Sequence, residues 1–263
     1  MEDLKTEEHF LLYIDFLGSK ALIAEDENKW LNAIHSLYTE ATKYTHNIAT
    51  DNIIKLVPLE TVSIHIFSDN IAISVKANTH NVHNHNILSF LFYVASYIQA
   101  HALMKYNWLV RGAITSGKLY SSIPSSKEST RIGLIWGSAL TRAYNIESET
   151  AIYPRIVLDK KTQEKYSWDN YFTLEDSDGI LYIDYLYLQS RSNPEFMAKY
   201  VNFQHMKDTL DNLLKKNGED EKIIQKIIWT QSYMEHFDKM LHPELSDSGI
   251  LKTETIFSDY RER

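Results

Sequence analysis

Two aspartates stand in settings that ask for a chemical partner. Asp15 interrupts the apolar run Phe10 to Leu17, where an ionised carboxylate is costly unless a cation or metal compensates it. Asp69 lies in the polar trio Ser68, Asp69 and Asn70 between two β-rich runs, 62–67 and 71–75, which is the pattern of a hairpin tip. Brought to one edge, two such carboxylates make an oxygen-ligand site for Mg²⁺ or Mn²⁺, with substrate phosphates completing the coordination shell. An Asp after a strand also serves as a helix N-cap, and Asp-Asn also closes ordinary hairpins, so either acid alone has a purely structural reading. Arg111, Lys118, Arg142 and Arg155 are candidate phosphate partners, since a forked guanidinium can donate two hydrogen bonds to phosphate. Lys20, just beyond Gly18, is another. Solvated surface charge is the competing reading at Lys118 and Arg142, whereas Arg111 is flanked by an apolar run and Gly112.

Other side chains invite chemistry with less support. His80, His83 and His85 lie in an Asn-rich polar segment with no carboxylate partner and no helical metal-ligand spacing, so a solvent loop is expected there rather than a metal site. Tyr13, Trp136 and Tyr144 offer faces for a nucleobase, but aromatic residues more often fill cores.

The elements that must position these groups follow from periodicity. Residues 10–17 read as a buried strand closed by Gly18, followed by helical spacing at Trp30, Leu31, Ile34, Leu37 and Tyr38. Residues 62–67 and 71–75 read as a hairpin, 87–98 as a helix, and 108–116 as a strand turned by Gly117. This order, β-α-β-β-α-β, predicts an α+β sandwich of ferredoxin-like type. A helix is expected over 136–146, and strands over 156–158 and 180–188. After Asn193-Pro194 two amphipathic helices are expected, 203–214 and 219–240, the second with an apolar stripe at Ile223, Ile224, Ile227 and Ile228. The organisation expected is therefore a main domain over 1–192 and a helical extension over 193–263, packed on that domain or on a dimer.

Composition narrows the function classes. The 263 residues are 44% hydrophobic and 24% charged, enough to bury a sizeable core. A net charge of −8 argues against general affinity for nucleic acid or an anionic membrane, so phosphate binding must be local. The absence of cysteine excludes disulfides, thiolate catalysis and Cys-based zinc sites, and suits a reducing cytoplasm. The start of the chain has no signal-peptide pattern, and no unbroken apolar run approaches the roughly 18–20 residues of a membrane helix. A soluble cytoplasmic protein is expected.

The flanking residues carry a resemblance. Tyr13-Ile14-Asp15-Phe16-Leu17-Gly18 resembles the start of class III nucleotidyl cyclases, and Ile66-Phe67-Ser68-Asp69-Asn70 resembles their second metal-binding turn. Residues 110–117 resemble the family's later strand and turn, and 135–147, from Ile135 to Glu147, its Gly-led helix. With Tyr153-Pro154-Arg155-Ile156 added, the ordered set looks most like the bacterial pyrimidine cyclases of Pycsar anti-phage systems. The resemblance covers about residues 10 to 160. It implies that Asp15 and Asp69 hold two metal ions, Mn²⁺ or Mg²⁺, and that the Phe16 carbonyl completes one shell. Amides around Leu17, Gly18 and Ser19 would hold phosphate, which suits the start of a helix on physical grounds.

The departures from the family pattern are informative. Purine-specific members carry a Lys and an acid where this chain has His65 and Leu134, and a transition-state Asn and Arg where it has Thr141 and Asn145. The resemblance therefore implies a pyrimidine triphosphate, UTP ahead of CTP, cyclised to a messenger read by a separate effector, with the site shared in a homodimer. A cyclase-like nucleotide sensor without catalysis is the rival reading. A phosphotransfer enzyme of polymerase or diguanylate cyclase type is disfavoured because no Gly-Gly-acid-acid turn lies near Asp69.

Overall fold

In a computed structural model of the chain, Glu7–Phe16 forms strand β1, with Phe10, Leu11, Leu12, Tyr13 and Ile14 all buried. Burial on both faces explains why this strand reads as a continuous apolar run rather than an alternating one. The structure describes residues 3–50, 57–78, 82–122, 133–166, 172–193, 203–216 and 220–241, with Glu195, Met197 and Gly218.

Helix α1 (Ser19–Thr50), strands β2 (Val62–Phe67) and β3 (Asn70–Lys76), helix α2 (Asn84–Tyr106) and strand β4 (Val110–Ser122) follow. Their sheet order is β2-β3-β1-β4 with antiparallel neighbours, the ferredoxin-like βαββαβ arrangement that the sequence predicts. Helix α1 is kinked at Asp26, whose carboxylate accepts from the Lys29 amide at 2.9 Å, a cap that restarts the helix. The chain continues through β5 (Leu134–Trp136), α3 (Ser138–Glu149), β6 (Ile156–Leu158), α4 (Lys160–Tyr166), β7 (Thr173–Glu175), β8 (Leu181–Ile183), α5 (Tyr185–Ser192), α6 (Phe203–Lys216) and α7 (Glu221–Leu241). Strands β6, β8 and β7 extend the sheet beyond β4, while β5 pairs with the far end of β4.

Alternation along β1 sorts its side chains between two cores. Phe10, Leu12 and Ile14 join the large core with α2 and the C-terminal helices. Leu11 and Tyr13 face the other way, packing with Ala72 and Ala113 against Ala139 and Ala143 of α3. By the same alternation Asp15, and Arg111 across on β4, continue the α3 face. Helix α2 is long and apolar enough to cross a membrane by length and composition, yet 89% of that window is buried inside the domain, so it is the central core helix.

Three expectations are corrected. Gly117 lies inside β4, which runs on to Ser122, so it does not turn the chain. Trp136 belongs to β5, and the following helix begins only after Gly137. Residues 180–188 are not one strand: β8 ends at Ile183, and Asp184 caps α5 by accepting from the Tyr187 amide at 3.3 Å. An unbroken buried run has no period that separates helix from strand; the capping Asp was the available signal.

The C-terminal helices share the large core, with Trp229, Tyr233 and Phe237 fully buried in it. Polar contacts fix them there. The Trp229 indole donates to Asp176 at 2.8 Å, and the Tyr233 hydroxyl donates to Asp184 at 2.7 Å while accepting from the Leu186 amide at 2.9 Å. Asp176 also pairs with the guanidinium of Arg155, which Asp178 holds on its other side. Removing one partner of a buried charge leaves the other uncompensated. Asp176→Ala is therefore expected to lower unfolding stability by about 3 kcal/mol, measured from urea denaturation against wild type.

Candidate active site

The register of β1 brings the two aspartates together. Asp15 is paired across the ladder with Asn70 on β3 and with Arg111 on β4, and the Phe16 amide donates to the Asp69 carbonyl at 3.3 Å. Asp69 therefore adjoins the exit of β1, at the tip of the β2–β3 hairpin. Its carboxylate accepts from the Ser19 hydroxyl and from Asn70 Nδ2 at 3.0 Å, and Asn70 Oδ1 in turn accepts from the Tyr13 hydroxyl at 2.6 Å. The chain leaves β1 through Gly18, whose φ of +80° is the left-handed region that favours glycine. Gly112 lets β4 approach β1: a Cβ there would lie 2.1 Å from the Tyr13 carbonyl oxygen, so no larger residue fits beside Arg111.

Arg111 bridges two acids. Its Nε lies 3.3 Å from Asp15 Oδ2 and 2.5 Å from Glu147 Oε1, on α3. Burial raises the Asp15 carboxyl above its ordinary range, Arg111 opposes that, and the charge of Asp69 adds to it. Burial also raises Glu147, to about 7, again opposed by Arg111 and reinforced by Asp15. Sequence reasoning gave Glu147 no role in the site. It falls four residues after Ala143 and eight after Ala139, on the buried stripe of α3, and an acid on such a stripe was the missed signal.

The remaining sequence candidates separate clearly. The Leu17 amide donates to the Leu109 carbonyl at 2.9 Å, which corrects its assignment to phosphate. Gly18 and Ser19 open α1, where first-turn amides lack intrahelical acceptors; Phe16 turns its ring into the core against Trp30 and Trp108. Arg155 is fully buried and neutralised by Asp176 and Asp178, so its assignment to phosphate is corrected as well. Arg142 is engaged by Asp159 at 3.1 Å and by the Ser116 carbonyl, tying α3 to its neighbours. Lys20 and Lys118 are exposed. His65 bonds Ser121 at 2.8 Å, and Ser121 pairs with Ile135 next to Leu134, so the end of β4 and the β5 strand come back to β2. Burial lowers the His65 pKa. Tyr13 lies between Phe67 and Tyr144, with ring centroids 6.3 Å from each. Thr141 and Asn145 are exposed on α3. His83 directly precedes α2 and His85 lies in its first turn, while His80 is outside the described residues.

A divalent ion suits the Asp15–Asp69 edge. Both donors are hard carboxylate oxygens, and each acid's charge penalises the other, a repulsion that a cation between them would remove. Among the described residues no group of three or more His, Cys, Asp or Glu could hold a metal ion.

No protein-family model matches the sequence, and no curated protein matches it either. Among solved structures the chain is similar to the adenylyl cyclase CyaB from P. aeruginosa, at 13% identity and a TM-score of 0.47, over 69% of this chain and 94% of that one. It is similar to the catalytic core of a rhodopsin-guanylyl cyclase with converted specificity, in complex with ATPαS, at 13% identity and a TM-score of 0.46, over 70% and 98%. The guanylate cyclase domain of RhGC from Catenaria anguillulae, in complex with GTP, gives 12% identity and a TM-score of 0.43, over 67% and 93%. These neighbours are class III cyclase domains. With TM-scores below 0.5, they say nothing about the chemistry of this chain, which rests on the side chains above.

Glu147 has a measurable consequence. Its carboxyl titrates near 4.5 when unfolded and near 7 when folded. The stability that comes from keeping this proton is complete below about pH 4.5 and is lost as pH rises through about 7, on the order of 3 kcal/mol in all. Glu147→Gln removes the titration, so its stability relative to wild type is expected to rise between pH 5 and pH 8. Urea midpoints in chelator-treated protein at both pH values check this; parallel pH dependences would contradict it.

Proposed function

We propose that the protein is a metal-dependent nucleotide cyclase acting on a pyrimidine triphosphate, UTP ahead of CTP. The observation that carries this reading is the placement of Asp15 and Asp69 at one sheet edge, beside the amides that open α1 at Gly18 and Ser19. In such a reaction the 3′-hydroxyl attacks the α-phosphorus of the same nucleotide and pyrophosphate leaves, so positioning and charge neutralisation are the enzyme's main tasks. Metal ions held by Asp15, Asp69 and the Phe16 carbonyl would polarise the phosphate and lower the pKa of the attacking hydroxyl. Ser19 and Asn70 fix the orientation of Asp69, and Arg111 holds Asp15 in place.

The preference for a pyrimidine rests on His65 and Leu134. Strand β5 and the end of β4 reach β2, but a neutral-leaning imidazole and an aliphatic side chain stand there in place of a lysine and an acid. A homodimer is supported by the exposed apolar surface of Ile66, Phe67, Leu134, Trp136 and Tyr144, since exposed apolar side chains gathered on neighbouring elements mark interaction surfaces. Thr141 and Asn145 are exposed on the same α3 helix as Tyr144. Their types favour a second reading, a nucleotide sensor without turnover, because neither carries the charge of a transition-state arginine. A cyclic pyrimidine monophosphate made in the cytoplasm would act as a messenger to a separate effector in antiviral defence.

The test is to incubate purified protein with ATP, GTP, CTP or UTP and Mn²⁺, and to identify products by mass. A cyclic pyrimidine monophosphate is expected, with Asp15→Asn and Asp69→Asn at least about 100-fold slower, as loss of several kcal/mol of metal-ion catalysis requires. Wild-type rates in either folded variant would overturn the site; no product from any triphosphate would favour the sensor.

A further inference from the structure

Helix α7 brings a basic side chain toward the acidic edge that neither the fold nor the proposed site has used. Lys226 is half-buried, and none of the ion pairs among the described residues includes it. It lies within electrostatic reach of Arg111 and Asp15, and Glu147 feels its charge in turn. It also lines a largely apolar cavity of about 250 Å³ whose wall includes Leu17, Gly18, Glu25, Trp108, Ile223 and Lys216. Lys216 is exposed and sits 3.8 Å from Glu25, which leaves Lys226 as the sheltered cation of that cavity. One wall of the cavity is the Gly18 turn that begins α1, where the helix dipole favours negative charge.

We propose that Lys226 binds the outer phosphates of the triphosphate, in the cavity between the Gly18 turn and α7. This rests on the reading that a triphosphate lies at Asp15 and Asp69. The cavity is small for a whole nucleotide and adequate for a phosphate tail, and a compact ammonium is a suitable point charge for it. Burial, and then the positive charge of Arg111, pull the lysine's pKa below its usual range; the attraction of an incoming polyanion for the charged form would offset that lowering. A role only as counter-ion to the acids is less well suited to the geometry, because Arg111 already stands within 3.3 Å of Asp15 and 2.5 Å of Glu147. In this account α7 supplies part of the binding site.

The experiment is calorimetric titration of the full chain with inorganic tripolyphosphate and Mg²⁺. Lys226→Met is expected to bind at least tenfold more weakly than wild type, Lys226→Arg within threefold of it, and the exposed neighbour Lys222→Met unchanged. Lys226→Gln is measured alongside with the same threshold, in case Met disturbs folding. Equal binding in wild type and the folded Met or Gln variant, or no binding by wild type, would overturn the proposal. Because the ligand has no base and no 3′-hydroxyl, this result is independent of turnover: the four-triphosphate product assay decides the cyclase reading, and tripolyphosphate binding decides Lys226.

Discussion

The organisation of the site depends on negative charge held at the end of a strand that is otherwise buried on both faces. Asp15 continues the α3 face of β1 after Leu11 and Tyr13, and its burial raises its carboxyl pKa. An isolated carboxylate there would be destabilising. Arg111 compensates it from β4, and Glu147 shares that arginine from α3. The β2–β3 hairpin then sets a second carboxylate beside it. Asp15 and Asp69 thus stand side by side while Arg111 is already shared with Glu147, which is the physical basis for proposing that divalent ions and phosphate complete the edge.

The same principle, applied in the opposite sense, holds the C-terminal helices. Arg155 is entirely enclosed, yet Asp176 and Asp178 neutralise it and Tyr153 lies 5.3 Å from its guanidinium carbon. Trp229 shares Asp176 with it, and Tyr233 shares Asp184 with the cap of α5. Satisfied buried networks fix geometry as well as adding stability. They hold α7 at a set position against β8 and α5, and so set where Lys226 lies relative to the Gly18 turn.

The ferredoxin-like half was legible because its signals are local and strong. A two-sided buried strand, a hairpin with polar tip residues and a long apolar helix each have a distinct pattern, and their order leaves few ways to connect them. Asp15 and Asp69 could be picked out because acids in or beside β runs are unusual. Glu147 and Lys226 were not legible as site residues, since a helical residue's neighbours depend on packing angles that the sequence does not display. Arg155 was misread for the complementary reason: its charge was visible, but its partners lie 21 and 23 residues further along the chain. Leu17 illustrates a finer limit, because whether a turn amide is free depends on one backbone bond to Leu109, just beyond the strand ends.

The central claim is that Asp15 and Asp69 together bind divalent metal with a nucleotide. Its most direct test is the number of Mn²⁺ ions bound per chain, counted by electron paramagnetic resonance in the presence of 3′-deoxy-UTP, which cannot cyclise. The account predicts two ions in wild type and a loss of that binding in Asp69→Asn with the fold retained. Equal Mn²⁺ binding in the two proteins, or none in wild type, would contradict it.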